Sequence, residues 1–268
     1  MKRRRNYRFL LIVSFSFLFL FMSTSYALLN LDLKVFGESK VTATSGGGMV
    51  EDNVGEEGGL QEDEDGSHFV GDGDEVHNYV KFTTDSKFWR IISIDGSGNI
   101  KIIRDQDDSL MGVWQNKKQS NRDWANTQVL KALKSWYQEN LSSYSDVIVQ
   151  NPEWILNEAS KNNPSVVNTV GVYTDSPIGL IRNEEIFDSN NVDGGNNVSS
   201  WLTGDGYQWT MTYYTGNNKN AWRVNNKGKF MNSSMDSSNT YIRPVVYLKA
   251  NILFASGDGS MDNPFVIS

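Results

Sequence analysis

Seven residues within one short stretch have the chemistry to hold a carbohydrate: Tyr213, Tyr214, Asn217, Asn218, Asn220, Trp222 and Arg223. Aromatic rings offer an apolar face with a polar edge, suited to the C–H face of a pyranose. Amide and guanidinium groups supply the donors and acceptors that sugar hydroxyls need. Trp222 stands on a short strand beside Arg223 and near Asn220, so it is the aromatic residue to test for exposure. Trp89, Trp136 and Trp209 sit in apolar or periodic contexts and are expected in the core. Arg243 could line the same surface, but its place at a strand start favours hydrogen bonds that hold the strand end.

Other chemistries are less well supplied. A glycan hydrolase needs two carboxylates about 5–9.5 Å apart across a cleft. Glu153, Glu158, Glu184, Glu185 and Asp205 are available, but spacing alone places no pair face to face, and Glu184 and Glu185 suit the first turn of a helix. The chain has no cysteine and two histidines, His68 and His77, so a thiol nucleophile and a thiolate metal site are excluded. No GxSxG motif and no histidine beyond residue 77 supports a serine triad. The expectation is therefore binding rather than catalysis, with no catalytic residue assigned. No cofactor is required. Calcium stays open, because Asp188, Asn190, Asp193 and Asn196 are hard oxygen donors in one Gly-rich loop. A second oxygen-rich run places Gln61, Asp63, Asp65, Gly66 and Asp72 roughly as in an EF-hand loop. The neutral first position and the missing final glutamate favour a solvated segment instead.

The elements that must position these groups are mostly short strands. Trp209–Tyr214 alternates as a strand with one buried face, and Ala221–Val224 follows after a polar loop. Asn226-Lys227-Gly228 supplies a turn, and Ile242–Leu248 reads as a strand with its proline near the start. Earlier, Phe88–Ile94 and Ile100–Arg104 flank a Gly-rich turn and predict a hairpin. Leu130, Leu133, Tyr137 and Leu141 form a helical stripe over about 127–141, with Asn126 as N-cap. Asn151-Pro152 is expected to begin a shorter helix. Ile178–Ile181 reads as a buried strand and Asn183–Phe187 as a brief helix.

Residues 1–27 contain five basic and no acidic residues, then an apolar run of 14 from Phe9 to Met22 and small residues before Ala27. That layout predicts a secretory signal peptide cleaved after Ala27. The run is short of the ~20 residues a membrane-spanning helix needs, which weighs against the competing reading of a retained anchor. Residues 28–44 alternate apolar and polar side chains as an extended segment that could pair with a neighbour's sheet edge. Eleven acids and no base lie between Glu51 and Glu75, among many glycines, so 45–77 is expected to be an acidic, extended linker. From Asn78 to Ser268 the charge nearly balances, leaving one domain with no basic stripe for nucleic acid.

Tyr79-Val80-Lys81-Phe82, Phe88–Ile92, Trp209, Trp222, Gly228, Arg243–Leu248, Gly257–Ser260 and Asn263-Pro264-Phe265 together resemble a C-type-lectin-like domain family of secreted and surface proteins of Gram-positive bacteria. The pattern is distantly similar to the sulfatase-modifying-factor (formylglycine-generating enzyme) fold. The resemblance implies an α+β, C-type-lectin-like domain over 78–268, with short antiparallel strands, one or two helices and long loops. It implies ligand contact at the loop after Tyr214. The cysteines and histidines of the related oxidases are absent, and so are the calcium-lectin signatures Glu-Pro-Asn and Trp-Asn-Asp. The expected role is recognition of a glycan or protein ligand outside the cell or at its surface, with no nucleic-acid partner and membrane contact only through an uncleaved signal segment. A structural subunit of a surface complex is the alternative.

Overall fold

The β4–β5 hairpin organises the larger sheet: β4 (Trp89–Asp95) and β5 (Ile100–Arg104) pair antiparallel and are almost wholly buried. Asp95 closes the turn, its Oδ1 accepting from the N–H groups of Ser97 and Asn99, each at 2.9 Å. The computed structural model describes residues 46–64, 66–71, 73–105, 110–116, 120, 122–189 and 201–267. The signal-peptide reading, the 28–44 segment, Asp65, Asp72, Asn190, Asp193 and Asn196 lie outside these residues.

Beside β5 lie β12 (Val245–Leu248) and then β8 (Ile178–Gly179). On the other side of β4 come β3 (Tyr79–Lys81), β14 (Phe265–Ile267) and β13 (Phe254–Ser256), the β14–β3 pair being parallel. Strand β2 (Gly66–Phe69) joins the same side of β4 nearer its end, and β1 (Leu60–Asp63) pairs with β2. The second sheet runs β11 (Phe230–Ser234), β10 (Asn220–Val224), β9 (Gln208–Tyr214), β6 (Trp154–Ser160), β7 (Asn163–Tyr173). Among the described residues, three α-helices accompany the sheets: α1 (Gly46–Val54), α2 (Gln128–Asn140) and α3 (Asn183–Asp188). The class is α+β.

Most elements follow the expected patterns, and the departures have local causes. Helix α2 is capped by Thr127, whose Oγ1 accepts from the Leu130 N–H at 3.2 Å, rather than by Asn126. The predicted stripe of Leu130, Leu133, Tyr137 and Leu141 is buried. After Pro152 the chain forms strand β6 instead of a helix, because the β-branched run of β7 provides a partner along its length. Strand β9 is buried at all seven positions, not on one face, since Asn183 of α3 bonds Thr210 and Thr212 on one face and Trp114 packs on Trp209 on the other. Trp89 and Trp209 are buried as expected, while Trp136 is only partly so. Arg243 holds strand ends as expected: its guanidinium donates to the carbonyls of Arg104, Leu202 and Asp105 at 2.5–2.7 Å.

The acidic, glycine-rich segment 45–77 is the main correction to the domain plan. From residue 46 it is folded onto the domain through α1, β1 and β2 rather than leading to it as a spacer. Val50, Val54, Leu60, Phe69, Val70 and Val76 of this segment enter the core with Met49 partly buried beside them, while Asp52, Glu56, Glu57 and Glu62 stay exposed. The glycines serve turns and close approaches. Gly59 turns the chain at φ 88°, and a Cβ on Gly46 would meet the Ile252 side chain at 2.6 Å. Buried Arg90 of β4 fastens the segment, donating to Gly73 O at 2.8 Å and to Asn78 Oδ1 at 2.7 Å. Composition averaged over the segment hides the six anchors that hold it.

Candidate functional site

The loop after Tyr214 has less to offer a sugar than its composition suggests. Tyr213, Tyr214 and Trp222 are buried, so none can act as a stacking platform. Trp222 packs edge-on against Tyr214 with ring centres 5.4 Å apart and donates Nε1–H to Ala159 O at 3.2 Å. Burial pushes the Tyr213 phenol up to about 12. The physical reason is that Trp222 packs on Tyr214 and Phe230, so a ring next to Arg223 in sequence still lies in the core. The polar members are at the surface but engaged locally. Asn217 Oδ1 accepts from the Lys219 N–H at 2.8 Å, and Asn220 donates to Asn232 at 3.1 Å. Arg223 lies over the Tyr207 ring at 4.1 Å and donates to Thr240 at 3.1 Å, and Asn218 is exposed.

A cleft of about 740 Å³ opens elsewhere, with walls from both sheets, within the size range of small-ligand sites. Ser67, His68 and Phe69 of β2 and Ser93 and Asp95 of β4 line one side. Ile155 of β6, Ser165 of β7 and Tyr247 of β12 line the others, and α3 with its flanks adds Arg182, Glu185, Phe187 and Asp188. Ile155 is exposed, and Ser93, Ser165, Arg182 and Tyr247 are half-buried, so the lining mixes hydroxyl, charged and apolar surface.

Helix α3 is held in place by a buried ionic cluster. Glu185 pairs with Lys101 of β5 and with Arg182, whose backbone N–H also donates to Glu185 Oε2 at 2.8 Å. Glu184 accepts from Arg182 at 2.8 Å and from Asn157 of β6 at 2.5 Å. The cluster thus ties α3 to a strand of each sheet. Lys101 also lies over the rings of Trp154 and Tyr247 at 5.6 and 5.3 Å.

Burial pushes the two adjacent carboxyls the same way, but their cations decide differently. For Glu185, Arg182 and Lys101 more than reverse the burial effect and hold the carboxyl at about 2. For Glu184, burial prevails over Arg182, and the neighbouring Glu185 charge adds to the upward shift. Desolvation also raises Asp188 at the end of α3, against the opposing influence of His68. His68 Nδ1 lies 3.0 Å from Asp63 Oδ2.

The other expected carboxylates do not converge here. Glu158 pairs with Arg122 at 2.5 Å, and Glu153 and Asp205 are exposed. Gln61, Asp63 and Gly66 belong to the β1–β2 hairpin, not to a cation-binding loop between helices. Among the described residues, no three His, Asp or Glu side chains are grouped to hold a metal. Of the expected calcium ligands, the described Asp188 faces the cleft. Sequence reasoning missed Lys101 and Arg182, and singled out His68 only as one of two histidines. The lysine carries a signal, a lone charge inside the apolar run Ile100-Lys101-Ile102-Ile103, and such a charge must find a buried partner.

No family model, curated protein or solved structure matches this chain.

Proposed function

We propose that this is an exported, non-catalytic recognition protein whose C-type-lectin-like domain binds a glycan or protein ligand at a Gram-positive cell surface. The cleft between the two sheets carries the reading. It combines apolar surface at Ile155 and Tyr247 with hydroxyls and fixed charges, the mixture a polyhydroxylated ligand needs. The contact surface therefore moves from the loop after Tyr214 to this cleft. Non-catalytic action is favoured because Glu158, Glu184 and Glu185 are all engaged by arginines. Export rests on the basic and apolar residues of 1–27.

The test is a glycan and cell-wall polymer binding screen on the full chain beside two variants. Ser165→Tyr places a ring in the cleft, and Asn218→Ala alters the loop. Saturable binding lost in the first variant alone supports the reading. Loss in the second alone returns the site to the loop, and no binding by the folded protein to any polymer ends the glycan reading.

An assembly subunit is the second reading, favoured by β7. This edge strand of 11 residues has no charged side chain and exposes Val166, Val170 and Val172, where native edges are usually blunted. A neighbour's strand could extend the sheet there. A concentration-dependent oligomer dispersed by Val170→Lys would favour that role, and a monomer at all concentrations would dismiss it.

A further inference from the structure

The charges lining the cleft are nearly all spoken for, and the exception identifies a ligand class. Asp95 spends Oδ1 on the N–H groups of its own turn and Oδ2 on the Asn99 amide at 3.0 Å. Glu185 is neutralised by Lys101 and Arg182, and Arg182 is consumed in turn by Glu184 and Glu185. Asp63 takes up the His68 ring nitrogen at 3.0 Å. Asp188 faces the same cleft and makes no hydrogen bond or ion pair among the described residues. Its side chain reaches solvent at the end of α3.

We infer that the cleft takes a ligand bearing a primary ammonium group, an amino sugar with its nitrogen unacetylated, and that Asp188 is the carboxylate receiving it. The inference rests on the reading of this cleft as the ligand site. A cation there meets a carboxylate that makes no ion pair among the described residues, with His68 and Arg182 acting on it only at longer range. A charge-assisted hydrogen bond in a partly enclosed site is about twice as strong as a neutral one. Neighbouring polarity suits the rest of a sugar ring. The side chains of Ser93, Ser165 and Tyr247 make no hydrogen bond among the described residues and line the same cleft. An anionic ligand would meet Asp63, Asp95 and Asp188 with both nearby basic groups already paired.

The experiment is calorimetric titration of the full chain with oligomers of glucosamine and with the same oligomers fully N-acetylated. Wild type, Asp188→Asn, Ser165→Tyr and the remote surface control Asp262→Asn are compared. The expected result is binding of the free-amine oligomer about ten-fold tighter than the acetylated one, by the worth of one charge-assisted hydrogen bond. That preference should vanish in Asp188→Asn and persist in Asp262→Asn. Equal binding of both oligomers, abolished by Ser165→Tyr, overturns the amine inference and leaves the cleft as the site. An amine preference that survives Asp188→Asn is diffuse attraction to an acidic protein and overturns the assignment. Binding by neither oligomer overturns the inference, while the polymer screen still decides the cleft itself.

Discussion

The loop after Tyr214 and the cleft beside α3 draw on similar residue types and put them to opposite use. Around the loop, the aromatics Tyr213, Tyr214 and Trp222 are buried, and the Asn217 and Asn220 amides are engaged by the Lys219 backbone and by Asn232. In the cleft, Tyr247 and Ile155 keep part of their surface open beside charges fixed by the Lys101–Glu185–Arg182 cluster. A recognition surface needs concavity and groups left unsatisfied by the fold. The cleft has both, whereas around the loop the aromatic rings are taken into the core.

Trp222→Ala should give the largest effect, because it empties a fully buried volume among Tyr214, Phe230 and Ala159. A loss of about 3–5 kcal/mol is expected in denaturant unfolding. A variant of unchanged stability with lost binding would return the site to the loop. Next is Lys101→Met, which leaves Glu185 buried with Arg182 as its remaining cation and should cost about 3 kcal/mol. If the cluster positions α3, this variant should also weaken any cleft ligand more than its stability loss explains, read by titration at a temperature where it stays folded.

Glu185 gives that cluster a pH signature. Its folded carboxyl, held at about 2, lies below its ordinary value of 4.5. Its stabilisation is therefore complete above that ordinary value and is lost as pH falls toward 2. Glu184 and Asp188 are shifted upward and act in the opposite sense, each gaining folded-state stability on protonation. Acid unfolding of Glu185→Gln should lack the loss over that window that the wild type shows. Gly179→Ala is smaller, about 1–3 kcal/mol, since the new methyl would lie 2.7 Å from the Trp154 ring that sits beside Lys101. Asn218→Ala should change stability by less than about 0.5 kcal/mol and leave binding untouched, and a binding defect there would reverse the comparison.

The β4–β5 hairpin, α2 with its buried stripe, β10 and the Arg243 anchor are all legible in the sequence, because periodicity and turn residues act over a few positions. Strand β6 is not, since only its partner β7 decides between helix and strand after Pro152. The site is legible only in part. Glu185 stands out by type, but its partner Lys101 lies 84 residues away, and no spacing rule joins them.

The sequence by itself determined the α+β class, the absence of thiol chemistry and the residue types from which any site must be built. Those properties depend on composition and local pattern. The tertiary structure alone decided that Trp222 faces the core, that the acidic segment from residue 46 is part of the domain, and that Asp188 lines a cleft without an ion pair among the described residues. Burial is a property of neighbours brought together across the chain. Six apolar anchors can hold a segment whose average composition argues for disorder, because each one docks on a sheet already formed by others.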